Sequence, residues 1–236
     1  MNKIIIIFLL LFVNFSFCQK VEFISKNDTL NVNKDNYFGY LFPETDLSKA
    51  KLVAKVKGKG SLNTISGIFQ RIKYDTTKIG ANSFVVESYS KIDDNNVEMV
   101  LSTYYCSDEI FENNFKNVPK NFIYVLGSEN FSSEKIQNFK INGEKHEISS
   151  GKYKKFDVKI GEELKINKGG FAGMTLWIKG EEEKGSTFLS FTGLGLMGGE
   201  YYPANGGMGI AINTGRINLV EPNLGLLLLR VFEEQK

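Results

Sequence analysis

The chain is poor in the side chains that most metal and nucleophile chemistry requires. Its 236 residues include one histidine, two cysteines and one tryptophan. A zinc site needs three or four nitrogen or sulfur ligands, which His146, Cys18 and Cys106 cannot supply without carboxylates. No D-x-D-x-D-G loop is present to hold calcium. A Ser-His-Asp site would have to recruit His146, yet the sequence lacks a G-x-S-x-G elbow. Neither a metal nor an organic cofactor is therefore expected, and no catalytic residue is assigned. Charge of one sign is also missing. Lys plus Arg total 29 against 27 Asp plus Glu, a formal net charge of +2. So slight an excess gives no basis for nucleic acid or an anionic membrane as the main partner. Four prolines and a 42% hydrophobic composition exclude a disordered chain. Long apolar runs are absent too. Ile4 to Val13 reaches half of the ~20 residues a spanning helix needs, and Leu224 to Phe232 is broken by Gly225 and Arg230. The mature chain is expected to have no transmembrane segment.

What is present begins with an address. Met1-Asn2-Lys3 is a short cationic start, Ile4 to Val13 an apolar core, and Ser16-Phe17-Cys18 supplies small residues at the −3 and −1 positions. That layout predicts a signal peptide over 1–18 with cleavage before Gln19, and a periplasmic or envelope-associated product. A lipoprotein acylated at Cys18 is the weaker reading, because bulky Phe17 fits poorly just before a lipobox cysteine. After the favoured cut Cys106 is the last cysteine, so no disulfide can form within the chain. A buried thiol is the expectation there, since Asp108 and Glu109 oppose activation.

The mature sequence reads as two units. Leu52 to Lys57 alternates apolar and cationic residues as a half-buried strand does, with Gly58 to Gly60 ending it and Ser61 as the helix N-cap. Leu62, Ile65, Ile68, Phe69, Ile72 and Ile79 make one helical stripe, stopped by Gly80. Phe84 to Tyr89 and Val97 to Tyr105, separated by a polar Asp-Asn cluster, pair as a hairpin. Polar residues 107–121, with Pro119, read as a linker. Beyond it lie short strands: Phe122 to Leu126, two flanking Asn142-Gly143, Tyr153 to Ile160, Leu164 to Ile166, Met174 to Ile178 and Thr187 to Phe191. Close spacing with turn signals predicts an antiparallel β-sandwich. Leu224 to Phe232 reads as a strand more readily than a helix, although periodicity cannot separate the two. The expected fold class is α+β: a small β-α-β-β unit within 19–106, then a β-sandwich over 122–236.

Gly193-Leu-Gly195-Leu-Met-Gly198 matches G-x-G-x-x-G by letter, but no strand–helix unit surrounds it, so nucleotide binding is not expected. The glycine-rich stretch 193–215 offers aromatic anchors instead. Tyr201, Tyr202 and Met208, together with Trp177, are the candidate binding residues, against the plainer reading of a sheet corner.

Two stretches resemble known families. Lys78-Ile79-Gly80-Ala81-Asn82-Ser83-Phe84 resembles a junction in YbjQ-like α/β domains. The heavy-metal label of some relatives finds no ligands in this segment. Asn142-Gly143-Glu144, Gly151-Lys152-Tyr153 and Ile160-Gly161-Glu162 are similar to PEGA-like envelope β-sandwich domains, which implies a structural or interaction module. The whole chain resembles exported envelope proteins of Bacteroidota-type bacteria. The expected function is a non-enzymatic periplasmic or envelope interaction protein whose partner is another envelope protein. The alternatives are a small-ligand or glycan-binding protein, and a hydrolase whose carboxylates have no recognisable pattern.

Overall fold

The computed structural model describes residues 20–27, 37–61, 64–93, 95–129, 131, 135–170, 173–192, 194 and 216–236. It is a β-rich α+β protein with three sheets and, among the described residues, three helices.

The first sheet contains β1 (Lys20–Lys26), β2 (Gly39–Tyr40), β3 (Lys51–Ser61), β4 (Ser83–Lys91) and β5 (Asn96–Tyr105), in the order β1-β3-β5-β4-β2. Helix α1 (Ile65–Thr77) buries Ile65, Ile68, Phe69 and Ile72 against it, the stripe read from the sequence. Strand β3 does not end at Gly58 but runs through Gly58 and Gly60 to Ser61. The reason is steric: a β-carbon on Gly58 would stand inside Ile68 and 2.9 Å from Ile72 Cδ1, so the glycine lets the helix lie close on the strand. Ser61, expected as the N-cap, is consequently a strand residue.

The cap position belongs to Thr64, whose side chain makes no capping bond. The acceptor comes from a distant part of the chain instead. The Glu129 carboxylate accepts from Ser66 N at 2.6 Å, from Ser66 Oγ at 2.5 Å and from the Ile65 backbone. This satisfies amides that a helix start leaves without partners. Burial raises the Glu129 carboxyl above its ordinary range, against the downward pull of the Ser66 and Ile65 hydrogen bonds. Burial, with the Glu129 charge, also pushes the nearby Tyr89 phenol up to about 12. For Glu129 the sign is set by a raised native pKa. Its contribution to stability is fully present below the ordinary carboxylate pKa and is lost as pH rises through the raised value. Glu129→Gln cannot titrate, so its stability relative to the parent should improve as pH climbs through that window. Thermal melts at stepped pH check this, and a constant offset between the two proteins would contradict it.

The Asn82 side chain explains the Lys78–Phe84 motif in physical terms. Gly80 takes φ 100°, Ala81 is buried, and the Asn82 amide pairs with the Cys106 backbone. Its Nδ2 donates to Cys106 O and its Oδ1 accepts from Cys106 N, both at 2.8 Å. The amide acts as one more rung of the β4–β5 ladder.

Residues 107–121 are not an open linker, because they contain helix α2 (Asp108–Phe115). Its buried Asn114 fastens the segment around β2. The Asn114 Nδ2 donates to Tyr40 O at 2.8 Å, while Oδ1 accepts from Phe42 N at 2.9 Å and Thr45 Oγ1 at 2.7 Å.

The second sheet comprises β6 (Phe122–Leu126), β9 (Lys152–Asp157), β12 (Thr187–Ser190), β13 (Asn218–Val220) and β14 (Glu233–Glu234), in the order β13-β12-β6-β9-β14. The pairs β6–β12 and β9–β14 are parallel, so this sheet is mixed rather than antiparallel. The third sheet is antiparallel, ordered β11-β10-β7-β8, from β7 (Gln137–Ile141), β8 (Glu144–Ile148), β10 (Glu163–Lys168) and β11 (Met174–Lys179). Its β7–β8 hairpin turns on Asn142 and Gly143 with φ 50° and 89°, the two positive values that such a two-residue turn requires.

Two apolar clusters order these layers. Ile123, Val125 and Leu189 of the second sheet meet Phe139, Ile141, Ile148, Ile166 and Ile178 of the third. From the opposite side of the second sheet, Tyr124, Leu126 and Phe188 join the cluster that holds α1 and the first sheet. The main core thus draws on residues from both sides of segment 107–121.

Residues 224–232 do not form the expected strand. Helix α3 (Pro222–Leu229) is apolar on nearly all sides because it is buried, with Leu224, Leu226, Leu227 and Leu228 in the main core. Its start carries a signal that periodicity does not see. Pro222 occupies the first turn, and the Glu221 carboxylate caps Leu224 N at 2.8 Å and Asn223 N at 3.2 Å. Asn223 Oδ1 in turn accepts from Tyr40 N at 2.9 Å, which ties α3 to the first sheet.

Candidate binding face

The third sheet covers the core with one face and turns the other outward. Along β7, Gln137, Phe139 and Ile141 point inward while Asn138 and Lys140 are exposed. Strand alternation then assigns the remaining outward positions. They are Lys145 and Glu147 on β8, Glu163, Lys165 and Asn167 on β10, and Thr175, Trp177 and Lys179 on β11.

Register sets two rows of these side chains next to one another. Trp177 stands opposite Lys165. Two residues along, Thr175 faces Asn167, Asn167 faces Lys140, and Lys140 faces Lys145. Trp177 is 54% exposed, an unusual setting for the largest side chain, and the Lys165 ammonium lies 5.7 Å from its ring centre. Farther along the sheet, a cleft of about 320 Å³ is lined by Asn138, Phe139, Lys140, Lys145, Asn167 and Gly169.

The cleft is electropositive. Among the described residues, Lys140 and Lys145 have no carboxylate at ion-pair distance. Lys168, at the same end, donates to Asn138 O at 2.7 Å and lies 4.9 Å over the Phe191 ring. Burial, and after it the Lys135 charge, lowers the Lys168 pKa. The Asn167 amide nitrogen donates to Thr175 Oγ1.

Of the binding residues expected from the sequence, Trp177 lies on this face. Tyr201, Tyr202 and Met208 lie outside the described residues, as do the signal peptide and Cys18. At the start of β11, Ile217 N donates to Met174 Sδ at 3.3 Å. The lysines and asparagines of the face were not singled out from the sequence. Their alternation in Gln137–Ile141 shows which side chains point outward, but only the strand order brings them together.

The other titratable candidates are placed differently. His146 is inward-facing and packed between Phe139 and Phe156, ring centres 5.5 and 5.1 Å away, so it is not the solvated strand residue expected. Cys106 is buried, receives the Ser83 hydroxyl at 3.2 Å, and has its thiol pKa raised by burial. Among the described residues, no group of three or more His, Cys, Asp or Glu side chains is placed to hold a metal. No described helix is long and apolar enough to cross a membrane.

Comparison of the chain with family models, with curated proteins and with solved structures gives no match in any of the three.

Proposed function

We propose that the mature chain is an exported, non-enzymatic interaction protein of the periplasm or cell envelope. Its working surface in this reading is the outer face of β11-β10-β7-β8, carried by a β-sandwich-like module over 122–236. The observation that carries the proposal is Trp177, a large ring left open to solvent on the sheet face whose cleft holds two lysines without an ion-pair partner among the described residues. Exposed aromatic side chains on a rigid sheet are efficient anchors, because little conformational freedom is lost when they are covered. The layered core supports the reading, since three sheets and two apolar clusters hold that face in a fixed geometry.

The test is co-sedimentation of the purified mature chain with washed envelope fragments. The parent should be captured in a saturable way. Trp177→Ala should lose at least about tenfold in affinity, the equivalent of one well-buried anchor. Lys49→Ala, a change in an exposed ion pair of the first unit, should bind like the parent. Equal capture of Trp177→Ala and the parent would remove this face from the account.

A further inference from the structure

Given that face as the working surface, we infer that its ligand is an acidic polysaccharide, with one sugar ring on Trp177 and a uronate carboxylate at Lys140 and Lys145. The inference stands on three features that point to the same chemistry.

The first is spacing. Strands lie about 4.8 Å apart and alternate residues about 6.8 Å along a strand. With Lys140 two strands and one row away from Trp177, the two are separated by about 12 Å. A single small anion cannot touch both, whereas a short run of linked rings can. The second feature is hydrogen bonding. Asn138 lines the cleft, and among the described residues its side-chain amide has no protein partner. Asn167 lines the same cleft, with its amide nitrogen donating to Thr175 Oγ1. An amide that offers both donor and acceptor matches adjacent hydroxyls on a sugar, and an apolar protein surface would leave it unpaired.

The third feature is charge. Lys140 and Lys145 are exposed neighbours on adjacent strands, and they repel one another unless an anion lies between them. A neutral glycan has no use for that pair. A dense polyanion does not fit either. Glu147 and Glu163 stand on the same face, and the chain as a whole carries a formal charge of only +2. Nucleic acid and polyphosphate demand rows of cations. Carboxylates spaced along a sugar chain fit two lysines beside polar and aromatic groups.

Trp177 is the single tryptophan in the sequence, so tryptophan emission excited beyond the tyrosine band reports on this face. The experiment titrates the mature chain with a short oligogalacturonate, a neutral cello-oligosaccharide of the same length, and polyphosphate. Fluorescence is followed for the parent, and calorimetry for Trp177→Ala and for Lys140→Gln with Lys145→Gln. All the substituted residues are exposed, and unchanged melting temperatures verify folding. The expected result is a saturable fluorescence change with oligogalacturonate and at least about tenfold weaker binding of the neutral sugar. The lysine pair and Trp177→Ala should each lose about tenfold or more, the value of one charge-assisted contact or one anchor. Equal affinity for the neutral sugar would overturn the inference. So would polyphosphate binding that matches oligogalacturonate and ignores Trp177→Ala. If no sugar binds while envelope capture still depends on Trp177, the acidic-sugar inference falls and the binding face stands. If envelope capture ignores Trp177, both fall.

Discussion

Gly225→Val should be among the most destabilising single changes in the protein. In an ordinary helix interior, replacing glycine by alanine gains about 1 kcal/mol. At Gly225 even that first carbon would stand inside the Phe188 ring. Phe188 cannot step aside, because it is 3% exposed and stacked on Tyr124 with ring centres 5.1 Å apart. Overpacking of this kind costs about 1–3 kcal/mol, and valine adds bulk that a close helix–sheet contact cannot absorb. Gly225→Ala is the finer test, since propensity and packing predict opposite signs. A lowered denaturant midpoint at unchanged slope would confirm the close seating of α3 on the second sheet. A raised midpoint would mean that the helix is not seated there.

Asn114→Ala should cost about 3 kcal/mol through a different cause. One amide holds Tyr40 O, Phe42 N and Thr45 Oγ1, and alanine leaves all three polar groups without their partner in a buried setting. Against a total stability of about 5–15 kcal/mol, such a loss is large. Asn223 holds the same residue of this short strand through Tyr40 N. The double variant Asn114→Ala/Asn223→Ala should therefore be less destabilised than the sum of the single changes, because β2 is released only once. Chemical denaturation of the four proteins reads this directly. Strict additivity would show that the two asparagines act on independent parts of the structure.

Local signals in the sequence were sufficient for much of the fold. The stripe from Ile65 to Ile72, the stop at Gly80, the Asn142-Gly143 turn and the short strands from Phe122 to Ser190 all appear near their expected places. Each is decided by neighbours within a few residues. What was not legible depends on partners far away. Gly58 looked like a strand terminator until the helix packed on it explained the missing side chain. The cap of α1 is supplied by Glu129, which lies 63 residues beyond its Ser66 partner. The parallel pairings of β2, β12 and β14 follow from chain return paths that alternation does not encode. Helix α3 resembled a strand because burial on nearly all sides erases the polar stripe, although Glu221-Pro222 carried its start signal.

The same division holds at the candidate site. Trp177 could be chosen from the sequence because one tryptophan among β-rich residues draws notice. Lys140, Lys145, Asn138 and Asn167 could not, since an exposed lysine or asparagine in a single strand is ordinary. They gain meaning from the order β11-β10-β7-β8, which brings residues of four strands together on one face.

The most direct test of the proposed binding face is the fluorescence of Trp177 in the intact protein as washed envelope fragments are added. Covering a ring that is 54% exposed should shift its emission to shorter wavelength in a saturable way and protect it from a soluble quencher. Envelope capture with an unshifted and fully quenchable Trp177 would contradict the account and place the binding surface elsewhere on the molecule.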